Sequence, residues 1–536
     1  MNKKQRTVPK STSESVLNVP YVESGFEKRF AKFYWLVIPV LTILYFSYRK
    51  IAVGFYQDDE VGQYINMLDF WSNPWVILGN GPKPGYKIFM LLPALISYDA
   101  VLIMNSLIAS ATVYMTYILL KTYKVGLAIF GSLLLASQPM FIDLSFRSYS
   151  EIFTSLLLVT FLILYKKEKL IPASLMFGYI YTVRQEIALL IIILGIIFIR
   201  KKNYTAAICL FVFPLLYNVL GYIKTGDPLF VISEMKSVAG LNYKSQGLMH
   251  YFKVYIFIVG PVVLTLFLSG FFGFMNQTNR IKEYFSKYFL FYLIFISIFV
   301  IQMLTMLNDG PNPGNWRYLL HISPIAVFFA TVGLNNLLVK KFRNTFLLLS
   351  GSLAVLVFLF LSYATDGFIL LDKTDYVKFI FVLLVALSCF LVLDKTQTDY
   401  VRTIAVICVI LSAAHLYFLQ PKKLSPENIT VKETAEFVDT LPEAVNKPKL
   451  TNHTFINFYS SLYKQNSKSF ERLNSKTLDS SPKGSLLIWE SHYGYRPEFT
   501  NDVQFEKINS DTTKYKLLKQ FVSSDKRFAS FIFEKL

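Results

Sequence analysis

The chain has 536 residues, of which 54% are hydrophobic and 17% are charged. Soluble domains carry about 25% charged residues, so the composition excludes an ordinary soluble enzyme and a disordered chain. The formal net charge is +19, which in a soluble protein would suggest a nucleic-acid partner. In a membrane protein Lys and Arg first indicate topology, so no nucleic-acid partner is expected.

Apolar runs of membrane-spanning length recur from residue 33 to about residue 420. The basic segment before them, 1–32, is too long for the start of a cleavable signal peptide and is predicted to be a cytoplasmic tail. The runs predict a multi-spanning α-helical membrane protein with about thirteen transmembrane helices. They lie near 33–48, 100–120, 126–142, 149–165, 170–183, 187–199, 204–223, 254–275, 289–307, 318–338, 345–363, 377–393 and 403–419.

The distribution of Lys and Arg between the loops indicates how these helices are oriented across the membrane. The predicted inner loops are short and basic, as at 166–169 and 200–202, whereas the outer loops hold most of the loop carboxylates. Positive charge in short loops marks the cytoplasmic side, and an odd number of spans then places the C-terminus outside. We therefore expect a multi-pass protein of the inner or plasma membrane, with one transmembrane domain, 33–420, that includes a first outer loop, 49–99.

The last part of the chain, 421–536, has the mixed polar and apolar composition of a soluble domain. The pattern predicts a helix over 430–441 and strands over 454–459, 485–490 and 528–533. We expect a small extracytoplasmic α/β domain here. Its aromatic polar segment, 489–496, is predicted to be a strand followed by a turn, with glycan binding as the alternative.

The densest acidic cluster is Asp58-Asp59-Glu60, at the start of the first outer loop. Three adjacent carboxylates repel one another, which favours a raised pKa, a paired cation or a bound metal unless all three are solvated. Apolar residues then recur at i, i+3, i+4 and i+7 from Val61 to Leu68. This spacing predicts a helix lying in the membrane interface, with the acids at its N-terminus. A solvated helix start is the alternative.

Three short motifs carry a resemblance to the GT-C glycosyltransferases, which are multi-spanning enzymes that use polyprenyl-phosphate or dolichyl-phosphate sugars. The segment from Asp59 to Tyr64 is similar to the Asp-Glu-x-x-Gln-Tyr of their mannosyltransferase branches. Lys83-Pro84 resembles the Lys-Pro-Pro of protein mannosyltransferases and the aminoarabinose transferase, with Gly85 in place of the second proline. The segment 147–150, Arg-Ser-Tyr-Ser, resembles the Arg-Thr-Phe-Ser of lipid-linked mannosyltransferases.

The resemblance bears on the acids of the first outer loop, although Asp58 stands where the family often has proline or an apolar residue. Transfer from a lipid phosphate needs a base for the acceptor hydroxyl and cations for the departing phosphate. Asp59 matches the family's first acid and is the candidate general base. Asp58 is either the base itself or a residue that tunes Asp59, and Glu60 is expected to orient the loop or the acceptor. The motifs specify no cofactor, and a divalent cation bound by the adjacent carboxylates is the alternative, since Asp-Asp-Glu in a row is not a metal motif by itself.

Basic residues at other outer helix ends are the candidates for binding the donor phosphate. Arg184 and Arg317 resemble arginines at corresponding turns of GT-C enzymes, and Lys83 and Arg147 belong to the motifs above. The alternative for each is a side chain that anchors the helix end at the lipid headgroups.

Three further residues accompany these cations as candidate substrate-binding groups. Glu151 follows the Arg-Ser-Tyr-Ser segment, and Glu186 follows Arg184. His321 is predicted to lie one turn after Arg317 on the same helical face, with a satisfied buried histidine as the alternative.

The sequence therefore predicts an integral-membrane glycosyltransferase that moves mannose or a related hexose or pentose. The donor would be a polyprenyl-phosphate sugar, and the acceptor an extracytoplasmic hydroxyl of a lipid, glycan or protein. The alternative is a transporter or flippase of lipid-linked glycans. Transporters place ionisable groups near the bilayer midplane, often in repeated halves, whereas here the charges cluster at outer helix ends and no repeat is evident.

Overall fold

A computed structural model of the chain describes residues 21–78, 81, 83–239, 243–276, 281–338, 340–362, 376–390, 398–496 and 502–536. Of the predicted cytoplasmic tail, residues 1–20 lie outside the described residues. The chain forms two compact units. We call them the helical unit (residues up to 46, 79–86 and 102–420) and the mixed unit (47–78, 87–101 and 421–536). Contacts thus group most of the first outer loop with residues 421–536 rather than with 33–420, where the sequence analysis places it.

Six helices in the described part of the chain are long and apolar enough to cross a membrane, or up to eight if two bent pairs are each counted as one span. The six are Gly25–Tyr48, Tyr98–Thr122, Tyr204–Thr225, Ile281–Leu304, Trp316–Asn336 and Thr398–Leu416. Each coincides with a predicted span, so the protein is a multi-spanning helical membrane protein. The larger number of about thirteen stays a prediction.

Other helices cover further predicted spans, namely Ser150–Lys166, Leu170–Ile180, Ala188–Arg200, Lys340–Ser362 and Tyr376–Phe390. The helices Pro84–Ile96 and Phe230–Ala239 lie outside the predicted spans. Large apolar side chains point outward from these and the longer helices. Leu215 and Ile223, for example, are 63% and 62% exposed. Helices that expose such side chains are suited to a lipid environment, in which the backbone hydrogen bonds must be made within the helix.

Two predicted spans are bent rather than straight. The span predicted over 254–275 consists of His250–Val259 and Pro261–Met275, which meet at an angle of 114°. Gly260 between them has a φ of +82°, and Pro261 begins the second helix. A glycine in this region followed by a proline ends one helix and starts another. The span predicted over 126–142 is similarly divided into Ala128–Ala136 and Pro139–Ser145, bent by 65°.

The mixed unit contains a five-stranded sheet in the order β2-β1-β3-β5-β4. The strands are β1 Lys449–Thr451, β2 Phe470–Glu471, β3 Leu486–Glu490, β4 Tyr515–Val522 and β5 Ala529–Lys535. β1 pairs in parallel with β2 and β3, whereas β5 is antiparallel to β3 and β4. Helices of this unit are Asp59–Asp69, Pro426–Thr440, Thr454–Tyr459, Ser461–Gln465, Ser475–Ser480 and Phe505–Asn509.

The α/β character predicted for residues 421–536 is confirmed, with one error. The predicted helix 430–441 and the strands 485–490 and 528–533 are present, but Thr454–Tyr459 is a helix and not a strand. His453 caps this helix, because its ring accepts a hydrogen bond from the Phe455 N–H. An apolar run of six residues fits either period, and the cap decides for the helix.

The helix Asp59–Asp69 belongs to the core of the mixed unit. Val61 and Ile65, from the predicted apolar stripe, are buried with Val431, Ile488 and Ile532. The stripe predicted to lie in the membrane interface therefore packs inside the protein instead. The helix itself and its acidic first turn are as predicted.

Candidate active site

The helical unit holds a buried cluster of charges built from three separate turns. Glu151 lies in the first turn of Ser150–Lys166, Arg184 precedes the 3-10 helix Gln185–Ile187, and Arg317 lies in the 3-10 helix Trp316–Ile322. Arg184 joins two of these turns through an ion pair with Glu151, with an NH1–Oε1 distance of 3.0 Å. Its Nε atom also pairs with Glu186 of its own turn, with an Nε–Oε1 distance of 2.6 Å. The Arg317 NH1 atom lies 3.7 Å from Glu151 Oε1. The structure thus brings together four of the predicted site residues.

Tyrosine rings hold the two guanidinium groups in place. The Arg317 guanidinium lies 4.4 Å from the ring centre of Tyr149, and that of Arg184 lies 5.2 Å from that of Tyr318. A cation over an aromatic face is attracted by the ring, more strongly where water is excluded. Side-chain exposure is 3% for Arg184, 2% for Arg317 and 0% for Glu151. The arginines are therefore fixed buried charges and not headgroup anchors.

Lys83 lies beside this cluster, in the loop before Pro84–Ile96. Its φ is +55°, a left-handed conformation that costs a non-glycine residue on the order of 1 kcal/mol. Arg184, Glu151 and Arg317 all act on it electrostatically. Burial, reinforced by the positive Arg184, lowers the pKa of the Lys83 ammonium to about 8.

Gly85 anchors the Lys83 loop. Its N–H donates to the Thr182 carbonyl at 3.1 Å, and its own carbonyl accepts from the Tyr179 hydroxyl at 2.6 Å. A Cβ on Gly85 would lie 2.1 Å from Thr182 Oγ1. A proline here would lose the N–H bond and collide with Thr182, which explains why the second proline of the Lys-Pro-Pro motif is replaced.

His321 reaches the same cluster by a different geometry from the one predicted. Residues 316–322 form a 3-10 helix, in which i and i+4 do not share a face, so the α-helical spacing to Arg317 is wrong. His321 nevertheless interacts electrostatically with Glu186 and Arg184. It is fully buried, and neither ring nitrogen has a hydrogen-bond partner among the described residues. It is therefore not the satisfied histidine of the alternative interpretation.

Arg147 forms an ion pair with Asp143, one turn earlier in the chain, with an Arg147 NH2–Asp143 Oδ1 distance of 3.0 Å. Its neighbours Ser148 and Ser150 have buried hydroxyl oxygens with no partner in the described part of the chain. The Oε2 atom of Glu151 is in the same situation. Buried polar groups without partners are rare in proteins and often occur at binding sites.

The cluster is rich in cations. Among the described residues, Lys83, Arg184 and Arg317 meet there with the carboxylates of Glu151 and Glu186. Guanidinium groups present several N–H donors in a geometry that matches a phosphate group. The arrangement is therefore suited to an anion such as a phosphate.

The three acids of the first outer loop lie in the mixed unit and differ in environment. Glu60 is buried and accepts from the Tyr56 N–H at 3.0 Å and the Tyr98 hydroxyl at 2.7 Å. Asp58 accepts a hydrogen bond from the Tyr493 hydroxyl. Asp59 is exposed at the first residue of its helix. Glu60 thus holds the loop in place, as the orienting role requires.

An apolar cavity of about 680 Å³ lies within the helical unit. Its lining is formed largely by Phe, Leu and Ile side chains, with Lys253 and Lys378 as its charged members. One wall residue, Phe257, packs against Trp316 with ring centres 5.1 Å apart. Trp316 directly precedes Arg317 in the chain, so this ring contact links the wall of the cavity to the charged cluster.

No protein-family model and no curated protein matches the sequence. Two solved structures of ArnT from Cupriavidus metallidurans are similar to the chain at 11% identity. The one bound to undecaprenyl phosphate has a TM-score of 0.58 and covers 94% of this chain and 98% of its own. The apo structure has a TM-score of 0.59, with coverage of 95% and 98%.

The archaeal oligosaccharyltransferase AglB from Archaeoglobus fulgidus, in complex with an inhibitory peptide and a dolichol-phosphate, is more distant. It has a TM-score of 0.40 at 14% identity, with coverage of 77% of this chain and 59% of its own. The ArnT matches extend over nearly the whole of both chains, membrane helices and C-terminal region included. The chain therefore shares the fold of the two ArnT structures, which confirms the predicted resemblance at the level of the fold.

Proposed function

We propose that the protein is an integral-membrane glycosyltransferase that moves a sugar from a polyprenyl-phosphate donor to an extracytoplasmic acceptor hydroxyl. The observation that carries this proposal is the buried charged cluster, which brings Lys83, Arg184 and Arg317 together with Glu151 and Glu186. The ArnT structure of the same fold is bound to undecaprenyl phosphate, a ligand that combines one phosphate with a long apolar chain.

The proposed chemistry uses the cations in the bond-breaking step. The acceptor oxygen forms a bond to the anomeric carbon of the sugar, and the bond from that carbon to the phosphate oxygen breaks. The phosphate leaves with an additional negative charge, which fixed cations stabilise most strongly in a dry site. Arg184 and Arg317 are held by ion pairs and tyrosine rings, so little reorganisation is needed as this charge develops.

A base is also needed for the acceptor proton. We assign this role to Asp59, which is exposed at the start of its helix, while Glu60 is committed to Tyr56 and Tyr98. Asp58 shares its carboxylate with Tyr493 and is the second candidate. Loss of a positioned general base reduces turnover by about 10²- to 10⁴-fold.

The apolar cavity is the evidence for the binding of the lipid half of the donor. Its walls are mostly hydrocarbon, as an isoprenoid chain requires, and Phe257 connects them to Trp316 and hence to Arg317. We propose that the chain of the donor lies in this cavity while its phosphate binds the cations. Mannose or a related hexose or pentose is the proposed sugar, on the basis of the motif resemblance.

The test is turnover by purified protein of a panel of radiolabelled polyprenyl-phosphate sugars with lipid, glycan and peptide acceptors. We expect a glycosidic product with at least one donor, and we expect Arg317→Gln to raise the donor KM or abolish the product. Arg472→Gln is the matched control, because Arg472 is half exposed and pairs with Asp502 in the mixed unit. Transbilayer movement of the lipid without any product would contradict the proposal and favour a transporter.

A further inference from the structure

A second group of ionisable side chains lies in the mixed unit, outside the proposed phosphate site. Glu427, His453 and His492 place one ligand atom each within 4.8 Å of the others. The Glu427 Oε1 atom lies 3.2 Å from His453 Nε2 and 2.7 Å from His492 Nδ1. Both rings therefore direct a nitrogen at one carboxylate oxygen.

These residues come from three different elements. Glu427 lies in the first turn of Pro426–Thr440, His453 lies between β1 and the helix Thr454–Tyr459, and His492 lies in the turn after β3. His453 is 1% exposed, whereas the His492 side chain is 50% exposed. The cluster thus has a buried inner side and an open outer side.

We propose that Glu427, His453 and His492 bind a divalent transition-metal ion of the zinc class. Two imidazole nitrogens and one carboxylate oxygen form a common zinc ligand set, with a further position left for water. With metal–ligand bonds of about 2.0–2.1 Å, tetrahedral ligands lie roughly 3.3 Å apart. The distance of 3.2 Å from Glu427 Oε1 to His453 Nε2 matches this value, whereas the 2.7 Å to His492 Nδ1 must lengthen by about 0.6 Å. A rotation of the half-exposed His492 ring can provide this movement. The exposed His492 provides the entry path that a metal site needs.

Binding requires one local rearrangement at His453. Its Nδ1 accepts from the Phe455 N–H at 3.3 Å, so the ring proton resides on Nε2 when this bond is made. Coordination through Nε2 requires the other neutral tautomer, with the ring proton on Nδ1, and the contact with the Phe455 N–H then opens. The contact is at the long end of hydrogen-bond distances, so its loss costs little compared with the gain from a metal–nitrogen bond.

The metal would also brace the candidate base loop. The His492 ring stacks on Tyr493, with ring centres 3.9 Å apart and 15° between the ring planes. The Tyr493 hydroxyl donates to Asp58, next to Asp59. In addition, Glu490 accepts from the backbone N–H groups of His492 and Tyr493 at 2.8 Å each. Tyr493 is therefore a positioning residue for the acidic loop, a consequence that rests on the proposed function.

The experiment measures metal binding directly on the purified full chain. The protein is stripped with a chelator, dialysed against Zn²⁺ and analysed for bound zinc, and a Co²⁺-loaded sample is examined for the absorption of tetrahedral cobalt. We expect one Zn²⁺ per chain, at least about a 10-fold loss of affinity in Glu427→Gln and His492→Gln, and no loss in Glu433→Gln. Glu433 lies on the same helix as Glu427 and is exposed.

The outcomes separate the metal site from the proposed function. Failure of the stripped wild-type chain to take up micromolar Zn²⁺, or wild-type affinity in both ligand variants, would show a hydrogen-bonded network only. If Glu427→Gln does not fold, the half-exposed His492→Gln and the cobalt spectrum of the wild type still decide. Tyr493→Phe should retain zinc but lower the kcat of sugar transfer. Zinc binding without any transfer would overturn the proposed function and leave the metal site standing.

Discussion

Asp58, Asp59 and Glu60 are adjacent in the chain and yet have different surroundings. Glu60 is held by Tyr56 and Tyr98, and Asp58 is held by Tyr493. Asp59 is the exposed acid of the three. Its exposure leaves the Asp59 carboxylate accessible to an acceptor that approaches from solvent.

Asp59→Asn should reduce sugar transfer by about 10²-fold or more, because the amide cannot accept the acceptor proton. The thermal midpoint should stay within about 1 °C of the wild type, since Asp59 is exposed. Transfer is measured with the best donor of the panel, and Glu433→Gln serves as the exposed acid-to-amide control. Normal turnover by Asp59→Asn together with loss in Asp58→Asn would move the base to Asp58.

Lys83 gives the proposed phosphate site a dependence on pH. Its pKa is lowered to about 8, first by burial and then by Arg184. The Lys83 side chain is therefore charged below about pH 8 and neutral above it, whereas a carboxylate is charged above its pKa. The pH dependence of kcat/KM for the donor reports the ionisation of groups in the free enzyme. It should be highest near neutrality and fall by up to about tenfold per pH unit above 8.

Lys83→Arg tests this interpretation, since a guanidinium stays charged throughout the range. This variant should lose the decline above pH 8, even if its maximal rate is lower. The measurement is a profile of kcat/KM from pH 6.5 to 9.5 in constant ionic strength. An unchanged decline in the variant would assign the titration to another group.

At the level of elements, the Lys83 loop depends on its fit to the turn after Leu170–Ile180. Gly85→Ala should displace the loop, because the new methyl group would meet Thr182 Oγ1 at 2.1 Å and Val183 Cγ2 at 2.8 Å. Overpacking of this kind costs about 1–3 kcal/mol. We expect a raised donor KM together with a lower thermal midpoint. Gly351→Ala, in an exposed helix position with nothing within 4 Å, should leave the donor KM unchanged and should not lower the thermal midpoint, because alanine favours a helix over glycine.

The elements themselves were predictable where apolar length decides. The helices Tyr98–Thr122, Ile281–Leu304 and Thr398–Leu416 coincide with predicted spans because long apolar runs have few other structures in a bilayer. The bend at Gly260 was missed, although the Gly260-Pro261 pair is a signal for it. β4 was missed because Lys516 and Lys519 interrupt its alternation, and a shift of register lies between Leu517 and Lys519.

The charged groups were predictable from the sequence only where the interacting residues lie close together in the chain. Arg184 and Glu186 are neighbours in the chain, so their ion pair has a local signal. Glu427, His453 and His492 are 26 and 39 residues apart and form no spaced motif. Only the pairing of β1 with β3 brings the two histidine-bearing ends together. Long-range strand pairing of this kind is not encoded in any short stretch of sequence.

At the scale of the whole molecule, the mixed unit is assembled from three separate parts of the chain. Ile65→Ala should destabilise the whole unit by about 2–5 kcal/mol, since Ile65 is buried with Val431, Ile488 and Ile532. Hydrogen exchange over 421–536 should accelerate, while the helical unit keeps its protection. Val445→Ala, at a position 53% exposed, is the control. Unchanged exchange over 421–536 would mean that the loop helix is not part of this core.

This discontinuous construction has a consequence for biosynthesis. The helix Asp59–Asp69 is made early, but its partners in 421–536 are made only after residues 102–420 have been translated and inserted. At 5–20 residues per second this interval lasts roughly 15 to 60 s. During that time Val61 and Ile65 lack the neighbours that bury them in the finished protein. The acidic loop therefore matures last, and a chain that stops before its final strands never completes the surroundings of Asp58 and Asp59.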